Sequence, residues 1–170
     1  MKYARSIKAK CWKSENPYSI DSVEDAQTSH CGELSVWLYD ENEKNKVALA
    51  IAMTRDYISD VVMVIFDDMT NKGTLAITPQ VGTSKWIDVN EDHVNLKLSH
   101  FDDFHWLMDY MWNEVLNARV ALIRSKEIKK YFKECVKNNT ISQGTIDHIH
   151  EHKDEEKFST WERYLQDAMI

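Results

Sequence analysis

The hydrophobic period of the chain changes near residue 100, and this change constrains the fold more than any other feature. Residues 33–98 carry short apolar runs separated by polar turn residues, a pattern typical of β-strands. From residue 101 onward the apolar residues recur at intervals of three and four, which is typical of amphipathic helices. We therefore expect an α+β fold: a mostly antiparallel sheet over about residues 33–98, followed by helices packed on one face.

Five runs predict the strands of this sheet. Leu34–Tyr39 is bounded by polar residues, and Val61–Phe66 is continuously apolar and β-branched, as in a strand buried on both faces. Thr74–Thr78 follows a turn-rich segment, and Trp86–Val89 and Val94–Leu98 flank four polar residues that predict a hairpin loop. Connections this short join antiparallel strands.

Residues 47–53 are ambiguous between strand and helix. Large apolar residues alternate with alanines there, which favours a strand with one large and one small face. Alanine is also the best helix former, and Asp40 with Glu43 could begin a helix. We prefer the strand.

Three helices are predicted after the sheet, over about residues 101–117, 125–138 and 159–169. Ser125 is expected to cap the second helix, and Ser159 with Glu162 to form a capping box for the third. Residues 1–31 are expected to be a polar N-terminal segment with a short helix at about 22–28, and residues 138–158 a polar connector rich in histidine and acid.

The bulk composition predicts one cytoplasmic domain over residues 1–170, with no membrane partner. The net charge is −7, and no apolar stretch approaches the roughly 20 residues that cross a bilayer. Cys11, Cys31 and Cys135 form no short metal-type spacing, which favours free thiols in a reducing compartment. Gly82-Thr83-Ser84-Lys85 lacks the upstream glycine of a phosphate-binding loop, so a P-loop enzyme is excluded.

The clearest charge asymmetry lies on the helix predicted at 125–138. From Arg124 to Lys137 there are six positive and two negative residues, and the positive ones share the polar side of the helix. They predict a basic binding face: Arg124, Lys126, Lys129, Lys130, Lys133 and Lys137. Such a face suits an acidic protein surface, or alternatively nucleic acid.

Acidic residues cluster in two predicted loops. Asp67 and Asp68 follow the buried strand, and Glu91 and Asp92 lie in the predicted hairpin loop. They are candidates for a second, acidic contact surface. Carboxylates at the end of a strand can also hold Mg²⁺, so the Asp67–Asp68 loop is an alternative catalytic candidate.

Histidines provide the remaining candidate chemistry. His148, Glu151 and His152 have the H-x-x-E-H spacing of one class of zinc hydrolase, in which the histidines hold the metal and the glutamate is the general base. His93, His100 and His105 lie among aspartates and could support acid–base chemistry, although their spacing fits no metal or triad pattern.

Together these patterns predict a small non-enzymatic interaction module: a regulator, an inhibitor or immunity-type protein, or a subunit of a larger assembly. It is expected to bind another protein by charge complementarity and aromatic anchors, with no cofactor. The alternatives are a divalent-metal-dependent hydrolase, with zinc at His148 and His152 or an ion at the Asp67–Asp68 loop, and nucleic-acid binding through the Lys126–Lys137 face.

Overall fold

The computed structural model describes residues 2–12, 19, 21–23, 33–67, 76–79, 84–97 and 101–170. The chain divides into two compact units, each assembled from three separate stretches. The first unit consists of Met1–Asp40, Val62–Gln80 and His93–Leu122, and the second of Glu41–Val61, Val81–Asp92 and Ile123–Ile170.

The first unit contains nearly all residues of the sheet, whose strands lie in the order β4-β5-β2-β1-β3-β6. The strands are β1 (Lys2–Ser6), β2 (Glu33–Tyr39), β3 (Val61–Asp67), β4 (Ala76–Pro79), β5 (His93–Lys97) and β6 (Ala121–Ile123). The four neighbouring pairs from β4 to β3 are antiparallel, so the predicted antiparallel α+β architecture is confirmed. Short β6 lies beside β3 at one edge.

One face of the sheet forms the core of the first unit. Because side chains alternate along a strand, β2 presents Leu34 and Val36 to the same side, and β3 presents Val64 and Phe66. Helix α2 (Phe101–Leu116) packs against this face with its buried residues Leu107, Met108 and Met111. This helix confirms the prediction over 101–117.

The second unit is helical. It contains α1 (Lys44–Ala52), a 3₁₀ helix (Ile87–Asp92), α3 (Ser125–Lys137), α4 (Gln143–Glu151) and α5 (Glu156–Met169). Its aromatic core includes Phe132 of α3 and Trp161 of α5, whose rings meet edge to face with centroids 5.7 Å apart.

The strand predicted at 47–53 is wrong, because these residues form most of α1. Val47–Ala52 are all buried, so the helix has no polar face whose period could identify it. Ser84 Oγ donates to the carbonyl of Ala50, and Lys85 Nζ donates to those of Met53 and Arg55, at 2.8–3.3 Å. These bonds link Ser84 and Lys85 to carbonyls at the end of α1 and just after it.

Two further predictions on the strand-rich half are corrected. Trp86–Val89 is not a strand: Trp86 is buried before the 3₁₀ helix, and its indole N–H donates to Asp88 two residues later. The polar N-terminal segment contains β1, a central strand whose Tyr3 and Ala4 are buried. Of the helix predicted at 22–28, residues 22 and 23 are helical and the others lie outside the described residues.

Three predictions on the helical half are corrected as well. The connector predicted at 138–158 contains α4, which Ser142 caps by accepting from the Thr145 amide at 3.2 Å. Helix α5 begins at Glu156, so Ser159 and Glu162 form no capping box at its start. Ser125 is the first residue of α3 rather than its N-cap.

Cys11 and Cys135 are free thiols, and Cys31 lies outside the described residues. No helix in the described part of the chain combines the length and the hydropathy that a membrane span requires.

Candidate functional site

The predicted basic residues lie on the exposed side of α3. Its buried side carries Ile128, Phe132, Cys135 and Val136, and this apolar stripe anchors the helix in the second unit. The exposed side carries five lysines, which we call the lysine face: Lys126, Lys129, Lys130, Lys133 and Lys137.

Most of this positive charge is not neutralised within the described structure. Lys130 Nζ lies 3.7 Å from Glu134 one turn away, a long ion pair between exposed groups. The other four lysines make no ion pair with any described residue. All five lysines are exposed.

Arg124, which was predicted as part of this face, has a different role. Its guanidinium contacts the Asp60 carboxylate at 2.9 Å, and the same carboxylate accepts from the Ser125 amide at 2.7 Å. The Ser125 amide and then Arg124 hold the pKa of Asp60 below its ordinary value. Asp60 thus caps the start of α3, a position that favours negative charge.

A recess beside the lysine face is lined by side chains from α3, α5 and the loop after α1. We call it the tyrosine groove; its volume is about 210 Å³, and its lining consists of Ile58, Lys129, Phe132, Lys133, Tyr164 and Asp167. The ammonium of Lys129 lies 5.2 Å from the centroid of the half-buried Tyr164 ring, a cation–π distance. Sequence reasoning missed Tyr164, because it lies on a different helix from the lysines.

The predicted acidic residues do not belong to one unit. Asp67 ends β3 in the first unit, whereas Glu91 and Asp92 end the 3₁₀ helix of the second unit. Asp92 pairs with Lys46 at 3.3 Å, and Glu91 is exposed. Asp68 lies outside the described residues.

The His148 motif lies at the end of α4. His148 and His152 are one turn apart, as predicted, and their ring centroids are 4.5 Å apart. Both rings pack against Phe158 of α5 at 5.1–5.2 Å. Glu151, the predicted general base, is exposed. No three His, Cys, Asp or Glu side chains are arranged to hold a metal within the part of the chain that the structure describes.

Both histidines line a polar cavity of about 300 Å³ that the sequence did not predict. Its lining also includes Thr54, Asp56, Ser84, Lys85, Glu155, Lys157 and Phe158, and does not include Glu151. Burial lowers the pKa of Lys85, and nearby Asp56 opposes that shift. Burial and neighbouring His152 lower the pKa of His148.

The predicted His–carboxylate cluster is not assembled around His93. That residue is buried on β5, where its ring stacks on Trp37 and faces the hydroxyl of Ser35. His105 lies on the exposed side of α2, 3.4 Å from Asp109, and His100 lies outside the described residues.

Among the described residues, the lysine face and the tyrosine groove together form a candidate binding surface. Comparisons with protein-family models, curated protein sequences and solved structures found no match.

Proposed function

We propose that the protein binds an acidic segment of another protein through the lysine face, with one apolar side chain of that segment seated in the tyrosine groove. The observation that carries this proposal is the position of the lysine face, four of whose lysines form no ion pair with a described residue, beside an apolar recess of the same unit. The lysine charges speed the encounter with the acidic segment and fix its position along the helix. The apolar side chain in the tyrosine groove supplies most of the affinity.

The spacing of the lysines suits an extended partner. Lys126, Lys130, Lys133 and Lys137 recur at intervals of four, three and four residues, so they form one row along the helix. At 1.5 Å per residue the row is about 16 Å long. An extended chain covers that length with about five residues, of which alternate side chains face the helix.

The tyrosine groove supplies the anchor. Ile58 and Phe132 form its apolar lining, and Tyr164 offers an aromatic face with a polar tip, a residue type enriched in binding hot spots. Lys129 and Lys133 belong to both the groove and the lysine face. A partner carboxylate can therefore pair with either lysine while a neighbouring apolar side chain enters the recess.

A protein segment fits this surface better than nucleic acid does. Asp167 lines the groove and Glu134 lies beside Lys130, so a continuous phosphate backbone would meet both carboxylates. Arg124 is held by Asp60, and arginine is the side chain best suited to bidentate phosphate contacts. A polypeptide can place its carboxylates opposite the lysines and leave the other positions uncharged.

The first test is fluorescence anisotropy with three labelled probes. They are a short acidic peptide with one central phenylalanine, the same peptide with alanine there, and a single-stranded oligonucleotide of equal charge. We expect the phenylalanine peptide to bind at least about tenfold more tightly than the alanine peptide. Lys129→Glu with Lys133→Glu should weaken it by about tenfold or more, and Tyr164→Ala should remove the preference for phenylalanine.

Lys8→Glu with Lys10→Glu is the matched control, because it changes the net charge equally at exposed residues of the first unit. It should leave binding unchanged. Equal binding of both peptides, or equal loss in the control variant, would reject the tyrosine groove as the anchor. Tighter binding of the oligonucleotide with a steep salt dependence would favour nucleic acid instead.

Photo-cross-linking in the native cell extract then tests the surface against a natural partner. A photoreactive phenylalanine analogue replaces Tyr164, and in the control it replaces Tyr57, which is 60% exposed. We expect a discrete protein adduct at position 164 that disappears when Lys129 and Lys133 are reversed to glutamate. An identical adduct from position 57 would show that the capture is unspecific.

A further inference from the structure

We propose that His148 and His152 bind a divalent metal ion of the zinc, copper and nickel class at the polar cavity, with Glu155 as the third protein ligand. The proposal is independent of the lysine face. It differs from the sequence expectation, in which Glu151 served as general base, because Glu155 lines the cavity with the histidines and Glu151 does not.

The hydrogen bond of His152 fixes the nitrogen that a metal needs. Its Nδ1 lies 2.8 Å from the carbonyl oxygen of His148. A carbonyl can only accept, so Nδ1 carries the proton and Nε2 of the neutral ring presents its lone pair. Metal-binding histidines are commonly oriented in this way, by donating the other ring nitrogen to a carbonyl or carboxylate.

Glu155 and His152 are separated by nearly the distance expected for two ligands of one metal ion. One of its carboxylate oxygens, Oε1, lies 3.9 Å from Nε2 of His152. Two ligand atoms on one tetrahedral zinc ion are about 3.4 Å apart, given bond lengths near 2.1 Å. A movement of about half an ångström by the exposed Glu155 side chain closes this difference.

The separation of the His148 and His152 rings is also close to that of two imidazoles bound to one metal ion. Their ring centroids are 4.5 Å apart, whereas two imidazoles on one tetrahedral zinc ion have centroids about 5 Å apart. These small movements explain why no three ligands already converge among the described residues. Phe158 packs against both rings and limits how far they can turn away.

The other charged groups of the cavity have partners, which leaves the imidazoles available. Lys157 contacts Oε2 of Glu155 at 3.3 Å, so Oε1 can bind a metal without breaking that ion pair. Lys85 donates to two backbone carbonyls and is attracted by Asp56. The His148 ring makes no hydrogen bond with a described residue and packs against Phe158.

Imidazole nitrogens with one carboxylate suit borderline ions rather than Mg²⁺ or Ca²⁺, which require mostly oxygen ligands. Asp56 or water could supply the fourth ligand from the same cavity. Because Glu155 lies between α4 and α5, the ion would link the end of α4 to the start of α5. The expected consequence is metal-dependent stabilisation of the second unit.

The test uses the full-length protein after treatment with a chelator, titrated with Zn²⁺ alone by calorimetry. We expect one ion per chain, and a rise in Tm of about 5 °C when free Zn²⁺ is about a hundredfold above Kd. His148→Ala and His152→Ala should each weaken binding at least about tenfold, and Glu155→Gln should weaken it by a smaller factor. Mg²⁺ should give no heat.

His150→Ala is the matched control, because His150 lies on the same helix but contacts Glu162 instead of the cavity. Its Zn²⁺ affinity should equal that of the unmodified protein. The rise in Tm on adding Zn²⁺ is measured against each variant's own metal-free Tm. A variant that is merely less stable is therefore not mistaken for one that binds Zn²⁺ more weakly. Absence of saturable Zn²⁺ binding, or equal weakening by His150→Ala, would overturn the site.

Discussion

His93 is a histidine whose environment keeps it neutral. Its ring stacks on the Trp37 indole with centroids 4.3 Å apart, and its Nε2 lies 2.5 Å from the Ser35 hydroxyl. Burial, together with the positive charge of Arg5, lowers the pKa of His93 from 6.5 to about 4. An imidazolium there would lose its hydration and would be repelled by the positive charge of Arg5.

This shift predicts a loss of stability in acid. The unfolded chain takes up the His93 proton near its ordinary pKa of 6.5, whereas the folded protein takes it up only near 4. The free energy of unfolding should therefore fall as the pH decreases from 6.5 to about 4, by roughly 3 kcal/mol from this group alone. Urea denaturation at a series of pH values measures this slope.

The matched variant is His93→Gln, which keeps an amide near Ser35 and cannot titrate. It should be less stable at neutral pH because the ring stacking is lost, but its stability should depend less on pH between 6.5 and 4. If its slope equals that of the unmodified protein, the acid sensitivity arises elsewhere. NMR titration of the His93 ring provides the direct check, with an expected midpoint near 4.

At the scale of elements, the prediction from the sequence succeeded for helix α3 and failed for helix α1. Helix α3 has one apolar and one charged side, so its bounds and the exposure of its lysines follow from the period alone. Helix α1 is buried all round from Val47 to Ala52, and its alternating alanines imitate a strand. In such a helix alanine lets neighbouring elements approach closely, a property that depends on tertiary packing.

The candidate sites divide in the same way. The lysine face is local to one helix, and residue spacing was sufficient to predict it. The tyrosine groove combines Tyr164 with Ile58 and Phe132, and the polar cavity combines Lys85 with His148 and Glu155. Residues so far apart in the sequence are brought together only by the fold, and the hydrophobic periodicity of the sequence does not predict such contacts.

The residue that caps α3, Asp60, is also far from this helix in the sequence, and its contact leads to a prediction about the stability of the first turn. Asp60 binds the Ser125 amide, and Glu127 accepts from the Arg124 amide at 2.9 Å. Asp60→Ala should leave the Ser125 amide at the start of α3 without its acceptor, so the first turn should open more often. Amide hydrogen exchange should accelerate at residues 125–128 and remain unchanged near Cys135.

Asp154→Ala is the control for this prediction, because it removes an exposed aspartate from the turn between α4 and α5. Exchange in α3 should be unaffected. Exchange at 125–128 that is equally fast in both variants would indicate a general effect of lost negative charge. Unchanged exchange in Asp60→Ala would show that Glu127 alone is sufficient to cap the helix.

At the scale of the whole molecule, the chain passes repeatedly between the two units. Five junctions separate them along the sequence: 40/41, 61/62, 80/81, 92/93 and 122/123. Neither unit is therefore one continuous segment, although α3, α4 and α5 follow one another in the final 48 residues. The second unit also needs parts of the chain that precede those helices.

This connectivity predicts that residues 123–170 do not fold alone. Trp161 donates its indole N–H to the carbonyl of Arg55 at 2.8 Å, and Ser142 and Thr145 of the α4 start bond to Asp88. A fragment lacking residues 41–61 and 81–92 loses these partners and exposes the apolar sides of its helices. Circular dichroism of the isolated fragment should show low helicity and no cooperative thermal transition.

Co-expression of residues 1–122 with residues 123–170 tests why the isolated fragment fails to fold. It distinguishes the loss of its contact partners from an intrinsic inability of residues 123–170 to fold. Residues 1–122 supply α1, Trp86 and Asp88, so the two pieces should co-purify and regain a cooperative transition. A cooperative transition in the isolated 123–170 fragment would contradict this account. Its lysine face would then be held by α3 and α5 alone, and because the tyrosine groove would lack Ile58, the fragment should bind the acidic peptide more weakly than the full chain does.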